Sequence, residues 1–112
     1  MEELWEAMRG IILLDRDEFE RAFDGCEVEV FDRFIRVNKG PEFHFVSRAN
    51  GSATKQDIRD CVQPIIDKYG HATTKTPIHD TRQQSLNRRI GFIETSRDEN
   101  NVFFRSEKLK NV

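Results

Sequence analysis

The chain lacks most of the features that mark a specialised protein, and each absence narrows its function. It has two cysteines, Cys26 and Cys61, and they form no motif. Each falls in a predicted element beside apolar neighbours, which favours buried free thiols in a reducing compartment over a disulfide or redox role. The three histidines, His44, His71 and His79, have no metal-ligand spacing with each other or with the cysteines, which argues against a zinc site. Long apolar runs are missing too. The longest, Ile11 to Leu14, falls far short of the ~20 residues a bilayer span needs, and no cleavage-site pattern accompanies it. The expectation is a cytoplasmic protein with no signal peptide and no membrane partner. Neither sign of charge dominates. Eighteen basic and 20 acidic residues give a net charge of −2, which argues against bulk electrostatic binding of nucleic acid.

What is present is a small globular composition. At 112 residues, with 37% hydrophobic and 34% charged residues, residues 1–112 read as one domain with a single core. Nine Phe carry most of the aromatic mass. Phe31, Phe34, Phe43, Phe45, Phe92, Phe103 and Phe104 read as core rather than as a nucleic-acid platform.

Periodicity divides the chain into short elements. Leu4, Trp5, Met8, Ile11 and Ile12 keep helical spacing, which predicts a helix over 2–10. Ile11 to Leu14 either completes it or forms a short strand. Asp17 to Glu20 reads D-x-x-E, a capping-box pattern, and predicts a helix over 17–24 ended by Gly25. Three meander strands follow: Cys26–Val30, Phe34–Val37 and Glu42–Ser47. The turn signal Asn38-Lys39-Gly40-Pro41 joins the last two. In the third strand Phe43 and Phe45 share one face, and Glu42, His44 and Val46 the other.

The clearest element is a helix over 55–69. Ile58, Cys61, Val62, Ile65, Ile66 and Tyr69 form one apolar stripe, Thr54 and Asp57 make an S/T-x-x-D start, and Gly70 supplies the stop. Pro64 lies inside it and predicts a kink. A polar strand over 71–76 is broken by Pro77. Asp80 caps a helix over 81–90 whose large apolar residues are Leu86 and Ile90, so it should cover an edge. A closing hairpin follows, and residues 107–112 should fray.

The loop Arg48-Ala49-Asn50-Gly51-Ser52-Ala53 links the third strand to the amphipathic helix. Small residues ahead of a helix N-terminus let backbone N–H groups approach an anion. Read alone, the loop is either such a site or a plain connector. It fits R-x-x-G-x-A, and SLNRRIGF (85–92) ends a helix in Gly-Phe. On these two motifs and the element order, residues 26–107 resemble the acyl-CoA-binding half of the GNAT acyltransferase superfamily.

The resemblance implies an α+β fold: a mixed, mostly antiparallel sheet flanked by helices, with an abbreviated N-terminal part. It implies an acyl-CoA-binding N-acyltransferase with acetyl-CoA or another acyl-CoA as cosubstrate and a small-molecule or protein amine as acceptor. No metal is implied. Arg48, Asn50, Gly51, Ser52, Ala53 and Thr54 would hold the pyrophosphate. Glu42 or His44 would take the amine proton. Asn87 is counted with the pyrophosphate residues as cofactor-binding; it stands where the family often carries a Tyr as general acid, and an amide gives no proton at neutral pH. Arg48, Lys55, Arg82, Arg88 and Arg89 either surround a phosphate-bearing ligand or are solvated helix and loop charges. The short length is similar to divergent GNAT-like proteins of tailed phages. The alternative is therefore an inactive phage structural, assembly or host-interaction protein, with a phage or host protein as partner.

Overall fold

The computed structural model describes residues 2–9, 14–48 and 54–110. Among them the chain runs α1 (Glu2–Met8), α2 (Arg16–Ala22), β1 (Glu27–Val30), β2 (Phe34–Lys39), β3 (Glu42–Ser47), α3 (Lys55–Tyr69), β4 (Ala72–Pro77), α4 (Thr81–Ile90), β5 (Ile93–Arg97) and β6 (Asn101–Ser106). The strands form one open sheet in the order β1-β2-β3-β4-β6-β5. The β1–β2, β4–β6 and β5–β6 pairs are antiparallel, whereas β3 meets β4 in parallel with Glu42 opposite Thr73. The architecture is thus α+β with a mixed sheet. Contacts divide the chain into two compact units, Met1–Lys39 with His44–Ala53, and Gly40–Phe43 with Thr54–Val112.

In the first unit the core is built from Leu4 of α1, Phe19 of α2, and Ile35 and Val37 of β2, with Trp5, Met8, Phe23, Val28 and Val46 packed against it. Trp5 meets Phe19 edge-on at 5.2 Å between centroids. The start of α2 departs from the sequence expectation. Asp15 is the N-cap, its side chain accepting the Glu18 N–H at 2.9 Å. The D-x-x-E pattern also occurs two residues earlier, at 15–18, and the helix starts from that one. Of the ambiguous run 11–14, Leu14 is exposed, and the rest lies outside the described residues.

In the second unit the stripe of α3 is buried at Ile58, Cys61, Val62, Ile65 and Ile66. The helix runs unbroken through Pro64, which is exposed. The face of α4 is a correction. Its buried residues are Gln84, Asn87 and Ile90, while Leu86 is only half-buried. Two amides take the place expected of apolar side chains because each is hydrogen-bonded. Gln84 Nε2 donates to the carbonyls of Pro77 at 3.1 Å and Ile78 at 3.0 Å. The stretch 107–110 is tied rather than frayed at its far end, since the Lys110 N–H donates to the Ile90 carbonyl at 2.9 Å.

Candidate functional site

The N-terminus of α3 is organised by a reciprocal pair. Thr54 Oγ1 accepts the Asp57 N–H at 3.1 Å, and the Asp57 carboxylate accepts the Thr54 N–H at 2.9 Å. The second bond places a negative charge of the protein's own at the positive end of the helix dipole. A diphosphate arriving there would compete with that carboxylate for the Thr54 N–H. Asn50, Gly51, Ser52 and Ala53 lie outside the described residues. Arg48, in the first unit, is committed to backbone. Its guanidinium donates to the Phe31 carbonyl at 2.7 Å, and its N–H to the Arg33 carbonyl at 3.0 Å.

Asn87 is 4% exposed. Its Nδ2 donates to Thr76 Oγ1 at 2.9 Å, and its Oδ1 accepts from Gln83 Nε2 at 2.9 Å. Both ends of the amide are therefore used inside the fold, joining α4 to β4. The neighbouring cations are likewise engaged or peripheral. Arg88 pairs with Glu94 at 2.9 Å and lies over the Phe104 ring at 5.4 Å. Arg97 joins the same carboxylate at 2.6 Å. The Arg97 hydrogen bond, with Arg88 behind it, holds the Glu94 carboxyl below its ordinary range. Lys55, Arg82 and Arg89 are exposed.

Glu42 has a different setting. The bond from Asn87 to Thr76 and the stacking of Arg88 on Phe104 put those two β-residues on the α4 side of the sheet. Alternation then places Thr73 and Lys75 of β4, and Phe103 of β6, on the opposite side. On that side lies a pocket of about 360 Å³ whose lining includes Glu42, Thr73, Lys75, Thr95, Ser96 and Phe103. The register shifts between Glu94 and Ser96, which leaves Thr95 as an extra residue and turns Ser96 toward Phe103. His44 lies two residues beyond Glu42 on β3, half-buried, and belongs to the first unit.

Of the sequence candidates, then, Glu42 lines a pocket, Thr54 caps a helix, Arg48 braces a turn and Asn87 is a buried link. The pocket residues Thr73, Lys75, Ser96 and Phe103 carried no motif. Their only sequence signal is the alternation of a polar strand, which marks a wet face without saying what it faces.

The chain matches no family model, and neither a curated protein nor a solved structure matches it. Among the described residues no group of three or more His, Cys, Asp or Glu is placed to hold a metal ion, and no helix is long and apolar enough to cross a membrane.

Proposed function

We propose that this chain is a GNAT-like domain of the short phage type that acts as a binding module in assembly or host interaction, without acyl transfer. The reading of the fold is supported by the order of three strands, helix, strand, helix, two strands, and by the parallel β3–β4 pair beside the antiparallel β1–β2, β4–β6 and β5–β6 pairs. The observation that carries the loss of chemistry is Asn87. The residue at the position of the general acid is an amide, buried, with both polar ends bonded inside the fold. It has no proton to give a leaving thiolate and no freedom to reach one.

A second reading, an acyl-CoA-dependent N-acyltransferase, is favoured by Glu42, a carboxylate lining a pocket large enough for a small amine. Under it, the amine nitrogen attacks the thioester carbonyl, Glu42 takes the ammonium proton, the C–S bond breaks to release the CoA thiolate, and the proton held by Glu42 passes through water to that thiolate, which restores the carboxylate.

Two measurements separate the readings. Acetyl-CoA is added to the protein with a panel of amines, and thiol release is followed. Thermal unfolding is recorded with acetyl-CoA and CoA. The binding-module reading expects no thiol release above spontaneous hydrolysis. Amine-dependent release that disappears in E42Q would overturn it. A ligand at 100 times its Kd adds about 2.7 kcal/mol of stability, so coenzyme binding without turnover is visible in the second measurement.

A further inference from the structure

We propose that the outward face of α4 docks a second copy of this chain by way of that copy's α1. The inference goes beyond the functional reading above and stands whether or not acyl transfer occurs.

The chain divides its charge unevenly. The unit of α1 and α2 holds eleven acidic and seven basic residues, a net −4, and the unit of α3 and α4 holds nine and eleven, a net +2. A chain that is nearly neutral as a whole therefore carries two units of opposite sign.

The basic surplus is concentrated at α4. Its buried residues are Gln84, Asn87 and Ile90, so Arg82, Ser85 and Arg89 point outward, and all three are exposed. Arg82 and Arg89 stand about 10.5 Å apart along the axis. Leu86 lies between them, half-buried. Two further cations come to the C-terminal end of the helix. The Lys110 N–H donates to the Ile90 carbonyl at 2.9 Å, and a Cβ on Gly91 would stand 3.0 Å from the Lys108 carbonyl oxygen. Arg88 is engaged by Glu94 and Phe104, but Arg82, Arg89, Lys108 and Lys110 make no ion pair among the described residues. The negative end of the helix dipole offsets only about half a charge of this group.

The complement lies on α1. Leu4 is buried, Glu2, Glu3 and Glu6 are exposed, and the helix contains no basic residue. Arg16 and Arg9 pair with Glu2 and Glu6, which leaves Glu3, and Asp17 of the neighbouring α2, without an ion pair among the described residues. Glu18 is held above the ordinary carboxylate range by the charge of Asp15 beside it, so acids are crowded here. Leu14, 39% exposed, precedes Asp15 and offers an apolar counterpart to Leu86.

The signs choose the occupant. Two α4 faces would set Arg against Arg, and two α1 faces Glu against Glu, whereas α4 of one copy on α1 of another pairs opposite charges. A nucleic-acid strand would match α4 but meet the acidic excess of the rest of the chain. A contact between unlike faces closes when the second copy returns it, and otherwise extends to further copies.

Sedimentation velocity of the full chain over a concentration series tests this. At about 0.01 M salt the weight-average mass should rise with concentration above that of one copy, and at about 1 M salt, where the screening length falls to about 3 Å, it should return to one copy. R82E with R89E, and separately E3K with E6K, should each weaken association at least about tenfold. An equimolar mixture of the two double variants should restore it, because each reversed face then meets one of opposite sign. A chain that remains a single copy up to about 1 mM in low salt would overturn the proposal and leave the α4 face to a partner of another kind. Association that persists at about 1 M salt, or a mixture that restores nothing, would overturn it as well. The salt series on the unaltered chain decides it even where a variant fails to fold.

Discussion

The Asn87 side-chain amide donates to the Thr76 hydroxyl across 2.9 Å, and both residues are almost wholly buried. Removing the amide leaves Thr76 Oγ1 without its donor and Gln83 Nε2 without its acceptor. A buried polar group left unsatisfied costs about 1–3 kcal/mol. N87A should therefore lower stability by about that much in urea unfolding, with the far-ultraviolet spectrum unchanged. A loss smaller than about 0.5 kcal/mol, the range of ordinary surface changes, would show that the link between α4 and β4 is not structural.

The reciprocal bonds of Thr54 and Asp57 give a second test. T54A removes the acceptor for the Asp57 N–H and should cost about 1 kcal/mol, whereas T54S should be nearly neutral. In a double-mutant cycle T54A and D57A should cost less together than the sum of their separate costs, because each bond orients the other partner. Additive losses would mean that the two bonds act independently. D57N also removes the carboxylate that faces the helix dipole, so any binding of inorganic phosphate or CoA at this end should strengthen in D57N and not weaken.

Gly91 differs from the other left-handed glycines in what surrounds it. At φ +113 it closes α4, and a Cβ there would stand 2.8 Å from the Lys110 amide nitrogen and 3.0 Å from the Lys108 carbonyl oxygen. Gly70 closes α3 at φ +83 with open space around it. G70A should therefore cost only the left-handed strain of about 1–2 kcal/mol. G91A adds a collision with backbone that is itself bonded to Ile90, and should cost clearly more. Urea midpoints of the two variants compare them directly, and equal losses would mean that the segment 107–110 moves aside freely.

The helices and strands were legible where one side chain period governed them. The stripe of α3 and its Thr54–Gly70 limits follow from the residues alone, because apolar spacing, cap and stop agree. The meander was legible from Val28 alternating with Glu27 and Glu29. The cap of α2 was misplaced because D-x-x-E occurs at both 15–18 and 17–20, and the pattern itself does not choose between them. The buried face of α4 was not legible, since Gln84 and Asn87 enter the interior only because Pro77, Ile78 and Thr76 offer partners that sequence distance hides. The same limit applies to the pocket. Glu42 was singled out on its strand, but Thr73 and Lys75 of β4 come to the same pocket through a parallel register that no local pattern encodes.

Glu94 supplies the pH dependence. It accepts from Arg97 Nε at 2.9 Å and pairs with Arg88 at 2.9 Å, and these partners hold its carboxyl below the ordinary range. A carboxyl whose value is lower folded than unfolded stabilises the fold above the unfolded value, and that contribution fades as pH falls through the folded one. Asp98 is lowered in the same direction by the N–H groups of Asn100 and Asn101, Asp15 by the N–H of Glu18 and Glu2 by its hydrogen bond with Arg16, so the acid limb of the whole protein mixes these carboxyls. Comparison with E94Q isolates the contribution of Glu94, because the others are common to both proteins. At neutral pH E94Q should melt lower than the unaltered chain. The gap should close as pH drops below the ordinary glutamate value of about 4.3, and it should narrow in high salt because the pair is exposed. A gap that persists unchanged to about pH 3 would assign the effect of E94Q to packing against Phe104 and Arg88 and not to charge.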